Sequence, residues 1–354
     1  MTEAKNPESA ASTGPVSRNG RGGKSSATIY DVAKVAGVNP STVSRALSKP
    51  GRVSVKTQKL IEDAAAELNY HVNPFARALP TGRTSTLGLI VADITNPTFF
   101  GVIRGAEATV TARDYTLMLA ESSESPATEL TAARRMMTTV DGLILASPRM
   151  DDDNIRALAK GKPVVVINRE VDGVPCVVPD VNTGIAEAIR SLAANGHRRI
   201  AYVAGPPESW MSRRRWEGVQ TACEWSRLEA VRLESSRPTV SGGREVARSV
   251  LASGATAVLT YNDLLAIGLM QELQAAAVVV PDRISIVGFD DIFGADFTTP
   301  PLTTVRSPMA ECGTEAASLL LDALQGIEHP AAFLRVETEL VLRGSSGRLL
   351  PSAS

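Results

Sequence analysis

From Thr86 onward the chain repeats one pattern: a short run that is apolar almost throughout, then a longer stretch with apolar positions every three or four residues. The runs are TLGLIVADI (86–94), YTLMLAES (115–122), DGLILAS (141–147), PVVVINR (163–169), RRIAYVAG (198–205), TAVLTY (256–261) and ISIVGFD (284–290). Strands that are apolar on both sides belong in parallel sheets covered by helices, which the amphipathic stretches supply. So many units exceed one comfortable open sheet. The pattern therefore predicts two doubly wound α/β lobes, with VVPDVNTG (177–184) as a crossing between them.

Residues 28–70 carry a different pattern, short and helical with strong punctuation. Thr28 caps IYDVAKVA, whose apolar face is Ile29, Val32, Ala33 and Ala36, and Gly37 ends it where left-handed dihedrals are needed. Val38 provides an apolar turn contact, and Asn39-Pro40 restarts the chain as a capped helix with Pro at its first position. PSTVSRAL buries Val43, Ala46 and Leu47 and shows Ser41, Ser44 and Arg45. After KPGRV, Ser54 caps a third helix with Val55, Leu60, Ile61, Ala64 and Leu68 at helical spacing. Two short helices around a tight glycine turn, the second with a polar leading face, have the geometry that enters a DNA major groove. A small protein-binding helical bundle is the competing reading at this point.

Charge favours the DNA reading. The chain of 354 residues has a net charge of −1, but residues 1–82 hold 11 Lys/Arg against 6 Asp/Glu, and the rest hold 26 against 32. A basic head on an acidic body points to a polyanionic partner. Thr28–Lys59 alone carries Lys34, Arg45, Lys49, Arg52, Lys56 and Lys59 against Asp31, so basic charge sits in a segment that reads as folded. Residues 1–27 lack apolar periodicity and read as disordered, with no secretory h-region. The RGGKSS there is not a phosphate loop: Arg18 stands where the leading glycine belongs, and no strand precedes it. No apolar run approaches membrane-spanning length. The cysteines (176, 223, 312) and histidines (71, 197, 329) are too scattered for a disulfide framework or a metal site.

The segment TIYDVAKVAGVNPSTVSRALSKPGRVSVKTQKLIEDAAAELNYHVNPFARAL resembles, almost without gaps, the DNA-binding head of the lactose-repressor (LacI) family of bacterial transcription regulators. GLIVADITNPTFF, DGLILASP, NGHRRIAYVAGP, YNDLLAIG, VPDRISIVGFDD and TPPLTTV follow in the order of that family's effector-binding core. The resemblance implies an α/β fold with an all-α helix-turn-helix head and hinge helix, then two doubly wound parallel-sheet lobes of the periplasmic-binding-protein type. The expected layout is an extension (1–27), a helix-turn-helix domain (28–72), a hinge helix and linker (73–85), a two-lobed effector and dimerisation domain (86–343) and a flexible tail (344–354). Lobe crossings are expected near 180, 306 and 328.

The resemblance also assigns roles. Pro40 and Ser41 take the two leading base-reading positions, with Ser44 and Arg45 one turn on; Arg45 either reads guanine or clamps a phosphate. Asn39, Thr42, Ser54, Lys56 and Thr57 are the implied backbone-positioning contacts, with Thr28, Tyr30 and Arg52 also on the DNA side. In the hinge segment Asn73-Pro-Phe-Ala-Arg-Ala-Leu79, Leu79 is the wedge for the central base step, Ala76 packs beside it and Arg77 lies near phosphates. Pro80 is unusual for this segment.

Doubly wound sheets bind ligands beyond the carboxyl ends of their strands. Asp93, Asn96, Phe99 and Phe100 follow the first strand, and Asp151 the third. Trp210, Arg213 and Arg215 come after RRIAYVAGPPE, Asn262 and Asp263 after TAVLTY, and Asp290 and Asp291 after ISIVGF. Carboxylates, amides and guanidinium groups near aromatic faces suit a polyhydroxylated ligand. By resemblance, Arg215, Asn262 and Asp290 are the effector-contacting Arg, Asn and Asp, and Phe99 takes the stacking or apolar position. Asp263 is expected to cap the following helix. Where the family usually has an aromatic, this chain has Arg237, with Trp210 as the substitute ring. Arg237 either meets an anionic effector group or faces solvent.

The expected function is that of a sequence-specific transcriptional regulator, a repressor, whose affinity for operator DNA is set by a small sugar-like effector. A two-fold homodimer on a near-palindromic operator, a cytoplasmic location and no membrane contact go with it. A solute-binding protein for uptake is disfavoured by the missing export signal and by the head. An enzyme is disfavoured by the lack of a nucleophile elbow, zinc triad or His-based dyad. No cofactor, metal or catalytic residue is expected.

Overall fold

The computed structural model describes residues 27–48, 51–70, 83–327, 329 and 333–350. The chain divides into two compact units at Thr81/Gly82.

Among the described residues the first unit holds three helices: α1 (Ile29–Ala36), α2 (Pro40–Ser48) and α3 (Val55–Glu67). Asp31 accepts both the backbone N–H (2.8 Å) and the hydroxyl (2.7 Å) of Thr28, which closes the first turn of α1. Gly37 ends α1 at φ 65°, a left-handed conformation that costs glycine little. Ser54 Oγ accepts from Thr57 N at 3.2 Å and so caps α3. Val32, Ala33, Val43, Ala46, Ile61 and Ala64 form a small shared core. Two expected members of the apolar face of α3 are elsewhere: Val55 is 88% exposed and Leu60 47% exposed. Val55 opens the helix before its core-facing stripe begins, and Leu60 is turned by about 100° from Ile61, which takes the inward position.

The second unit holds two six-stranded sheets. The first lobe contains β1 (Thr86–Val91), α4 (Thr98–Thr111), β2 (Thr116–Glu121), α5 (Pro126–Met136), β3 (Gly142–Ala146), α6 (Asp152–Gly161), β4 (Val164–Ile167) and β5 (Cys176–Asp180). The chain then crosses to α7 (Val181–Ala194), β6 (Arg199–Ala204), α8 (Trp210–Ser226), β7 (Glu229–Glu234), α9 (Val240–Ala252), β8 (Ala257–Thr260), α10 (Asp263–Ala275), β9 (Ser285–Asp290) and β10 (Thr303–Arg306). It returns through α11 (Met309–Leu324) and β11 (Phe333–Glu337) to the first sheet, and ends in β12 (Glu339–Val341) of the second. The first sheet runs β11-β5-β4-β3-β1-β2, parallel throughout; the second runs β12-β10-β9-β8-β6-β7, with β12 antiparallel at its edge.

Burial follows position in the sheet. β3 and β4 are buried at every residue, as near-continuous apolar runs require. β2 has an equally apolar sequence but lies at an edge, and its Met118 and Leu119 are 39% and 37% exposed.

The crossings occur at Asp180/Val181, between Arg306 and Met309, and at Thr338. The third was expected near 328. It falls ten residues later because β11 still pairs with β5 of the first sheet, Phe333 opposite Cys176 through Glu337 opposite Asp180. Thr338 fastens this crossing to the first one. Its hydroxyl donates to the Asp180 carbonyl at 2.6 Å and accepts from Gly184 N at 3.1 Å.

The expected flexible tail from 344 is also corrected. Ser345 is fully buried, its Oγ accepting from Thr303 N (2.8 Å) and donating to the Ile286 carbonyl (2.7 Å). Residues 344–350 thus buttress β9 and β10, while 351–354 lie outside the described residues. No helix among the described residues is long and apolar enough to cross a membrane.

Candidate functional site

In the first unit, the second helix exposes what its sequence spacing requires. With Val43 and Ala46 buried, Ser41, Ser44 and Arg45 are exposed, while Pro40 and Thr42 are half-buried at the helix start. Arg45 Nε donates to the Ser41 carbonyl at 3.3 Å, so the guanidinium lies back along its own helix. Thr28, Tyr30, Asn39, Arg52, Ser54 and Lys56 are exposed, and Thr57 is half-buried. Tyr30 is 71% exposed, a large ring with little cover. Asn73, Ala76, Arg77, Leu79 and Pro80 lie outside the described residues.

In the second unit, an ion pair marks the strand ends of the second lobe. Arg215 Nη2 donates to Asp290 Oδ1 at 2.8 Å, with both side chains buried. The guanidinium lies 3.6 Å from the Phe289 ring centroid and also donates to the Tyr261 carbonyl. Burial pushes the Asp290 carboxyl up from the ordinary range, and Arg215 opposes that shift. Asp290 sits at φ 105° and Asp291 at φ 53°, a strained pair of non-glycine residues that turns the chain as it leaves β9. Asp291 is held by Arg306 (2.8 Å) and Arg343 (2.6 Å). Register sets Arg306 of β10 beside Asp290.

A cavity of about 450 Å³ opens next to this pair. Its walls come from Pro97, Thr98, Phe100 and Arg104 of the first lobe, Asp290 to Phe293 of the second, and the crossing from Arg306 to Ala310. Of the expected effector residues, the structure brings Asp290 and Phe100 to this cavity and sets Arg215 directly behind Asp290.

The others have different surroundings. Phe99 is 3% exposed in the core of the first lobe, whereas Phe100 is 38% exposed. Phe99 shares the inward stripe of α4 with Val102, Ala106 and Val110, and the next residue on a helix is turned away from it. Asp93 accepts from the Thr95 backbone N–H (2.8 Å) and hydroxyl (2.6 Å), closing its own turn. Asp151 caps α6, its oxygens taken by Asn154 N (2.7 Å) and Nδ2 (2.9 Å); that backbone bond holds its pKa below the usual value.

Asn262 caps α10 through Leu265 N (3.0 Å) and donates to the Pro238 carbonyl (2.9 Å). The expected cap, Asp263, instead accepts from Ile292 N (2.8 Å) and Thr304 Oγ1 (2.6 Å). Burial, with Asp290 nearby, pushes the Asp263 carboxyl well up. Trp210 packs at the lobe crossings among Asp180, Val181 and Phe333, with Arg214 5.6 Å from its ring. Arg213 and Arg237 are exposed.

Sequence reasoning passed over two groups. Tyr261 lies flat on Gly205, where a Cβ would fall 2.5 Å from the ring, and its hydroxyl meets Ser209 at 3.1 Å. Arg149, two residues before Asp151, is buried and held by Glu124 (2.6 Å) and the Ser147 carbonyl (2.8 Å). Tyr261 was findable as the residue directly after the β8 run. Arg149 carried no signal, because its burial depends on Glu124 and on Glu129, which accepts from Arg149 N (2.7 Å) and Met150 N (2.8 Å).

Residues 28–73 match the bacterial regulatory proteins of the lacI family, and residues 189–346 match a periplasmic binding protein-like domain. The chain is 33% identical over 337 residues to the HTH-type transcriptional repressor CytR of Escherichia coli (strain K12), covering 93% of this chain and 98% of that protein. Among solved structures, a lac repressor dimer bound to operator and the anti-inducer ONPF superposes with TM-score 0.82 at 26% identity, covering 91% of this chain and all of that one. A LacI family transcriptional regulator from Enterococcus faecium with bound ribose superposes with TM-score 0.67 at 31% identity, covering 75% of this chain and all of that one. With this likeness running through head and lobes alike, the chain belongs to the LacI family of bacterial regulatory proteins.

Proposed function

We propose that this protein is a cytoplasmic, homodimeric transcriptional repressor that reads a near-palindromic operator and changes its affinity for it when a small polyhydroxylated effector binds between the lobes. The observation that carries this reading is the presence in one chain of two binding surfaces. One is a short helix with Ser41, Ser44 and Arg45 exposed; the other is an interlobe cavity walled by Asp290 with its buried partner Arg215.

Two copies of the head on two half-sites explain a two-fold dimer, and Leu79 from each copy wedges the central base step. Effector and operator affinities are then linked, each changing the other by the same factor. Phe100 offers an aromatic face to the C–H side of a sugar, and Asp290 accepts from its hydroxyls. The protein carries out no reaction in this reading.

The test is selection of an operator from random DNA with the full-length chain. It is followed by binding measurements at fixed salt with and without ribose, other sugars and nucleosides. A palindromic consensus whose affinity shifts with one ligand is expected. Binding that shows no sequence preference would remove the regulator reading.

A further inference from the structure

We propose that the interlobe cavity holds its effector through an oxyanion, a phosphate or carboxylate group, seated at the amino end of α11 beside Arg104. This deepens the effector reading above and rests on it.

That end of the cavity is walled by the first turn of α11, with Thr98 and Arg104 also in its lining. α11 begins behind Pro308, which offers no side-chain cap. Met309 N donates to the Ser307 carbonyl (2.8 Å) and Cys312 N to the Pro308 carbonyl (3.1 Å), but the N–H of Ala310, which lines the cavity, has no backbone or side-chain acceptor among the described residues. A helix of 16 residues carries partial positive charge at this end. Independently, Thr98 at the start of α4, which packs against α11 in the first lobe, lines the cavity at 9% exposure, and its hydroxyl has no hydrogen-bond partner among the described residues. Buried hydroxyls are rarely left so.

Charge points the same way. Asp290 is matched by Arg215, and Asp291 by Arg306 and Arg343. Arg104 lines the same cavity and makes no ion pair or hydrogen bond among the described residues. A neutral hydroxyl group would satisfy one donor and leave this guanidinium unmatched. An oxyanion accepts from the amide, the hydroxyl and the guanidinium together. The rest of the effector then extends toward Phe100 and Asp290.

The test uses the full-length chain in chloride buffer, with inorganic phosphate titrated against chloride of equal ionic strength and followed by thermal shift and calorimetry. Saturable stabilisation is expected. Its affinity should fall about tenfold in Arg104→Gln, a change at an exposed position, and severalfold in Thr98→Val, which keeps the shape of the side chain. A second arm compares ribose 5-phosphate with ribose, and the ester should bind more tightly only when Arg104 is present. A phosphate response equal to that of chloride, or unchanged in Arg104→Gln, overturns the proposal. If phosphate fails while a neutral ligand still shifts operator affinity, the regulator reading stands and only the oxyanion is lost. If phosphate binding depends on Arg104 but no ligand shifts operator affinity, the oxyanion site stands and effector control is lost.

Discussion

The head and the interlobe site solve recognition in opposite ways. In the head, the candidate reading residues stand on the outside of a small buried core, and among the described residues Arg45 is tied only to the carbonyl of Ser41 on its own helix. At the interlobe site the candidate residues are already bonded within the protein: Arg215 to Asp290, and Asp291 to Arg306 and Arg343. A surface reader is free to exchange partners with little effect on the fold. A buried reader is also a structural member, so a substitution there tests two things at once.

The largest expected effect follows from that. Arg215→Ala leaves the buried Asp290 carboxylate without its cation, which should cost about 3–5 kcal/mol of stability in the two-lobed unit by urea unfolding. Pairing it with Asp290→Asn should recover part of the loss, since no lone charge remains. Equal stability of the single and double variants would show that the pair is not the structural member described here. Both variants should lose effector response.

On the other side, Arg45→Ala should leave stability unchanged and weaken selected operator relative to scrambled DNA by about 1–3 kcal/mol per half-site. If the two DNAs weaken equally, Arg45 clamps phosphate and reads no base.

The head has its own structural positions, and Ser54→Ala sharpens the contrast. Losing the cap on Thr57 N should cost about 1 kcal/mol of head stability, with the two-lobed unit untouched.

The smallest effect concerns pH. His197 is buried and neutral, bonded to Thr256 Oγ1 (3.0 Å), Ser285 Oγ (3.0 Å) and the Gly347 carbonyl (3.2 Å), and burial holds its pKa below the ordinary value. The folded state therefore binds protons less readily than the unfolded chain. Its contribution is complete above the ordinary histidine pKa of about 6.5 and is lost as pH falls from there through the lowered folded value. Melting temperatures from pH 7.5 to 5 should fall more steeply for wild type than for His197→Gln. Parallel curves would rule His197 out as the source.

Much of the scaffold was legible because local rules agree with the fold. Apolar runs became strands, Gly37 ended its helix, and Ser54 capped the next. The site was less legible. Phe99 and Phe100 are the same residue type one step apart, and only the packing of α4 decides which ring faces the cavity. Asn262 and Asp263 are both capable caps, and the backbone geometry at the end of β8 gave that role to Asn262. Leu60 and Ile61 fit helical spacing equally, and the inward place went to one of them.

What the sequence by itself determined is the order and kind of elements, the basic head on an acidic body, and the two-lobed plan, because periodicity, capping and charge act over a few residues. Tertiary structure alone decided where the chain makes its third crossing, that the segment from residue 344 packs against β9 and β10, and that Arg149 is buried against Glu124. It also decided that Thr98, Arg104 and the start of α11 meet at one cavity. Each of these rests on contacts between residues far apart in the chain, where burial and partner are set by which strands pair and which helices touch, and no short-range pattern carries that information.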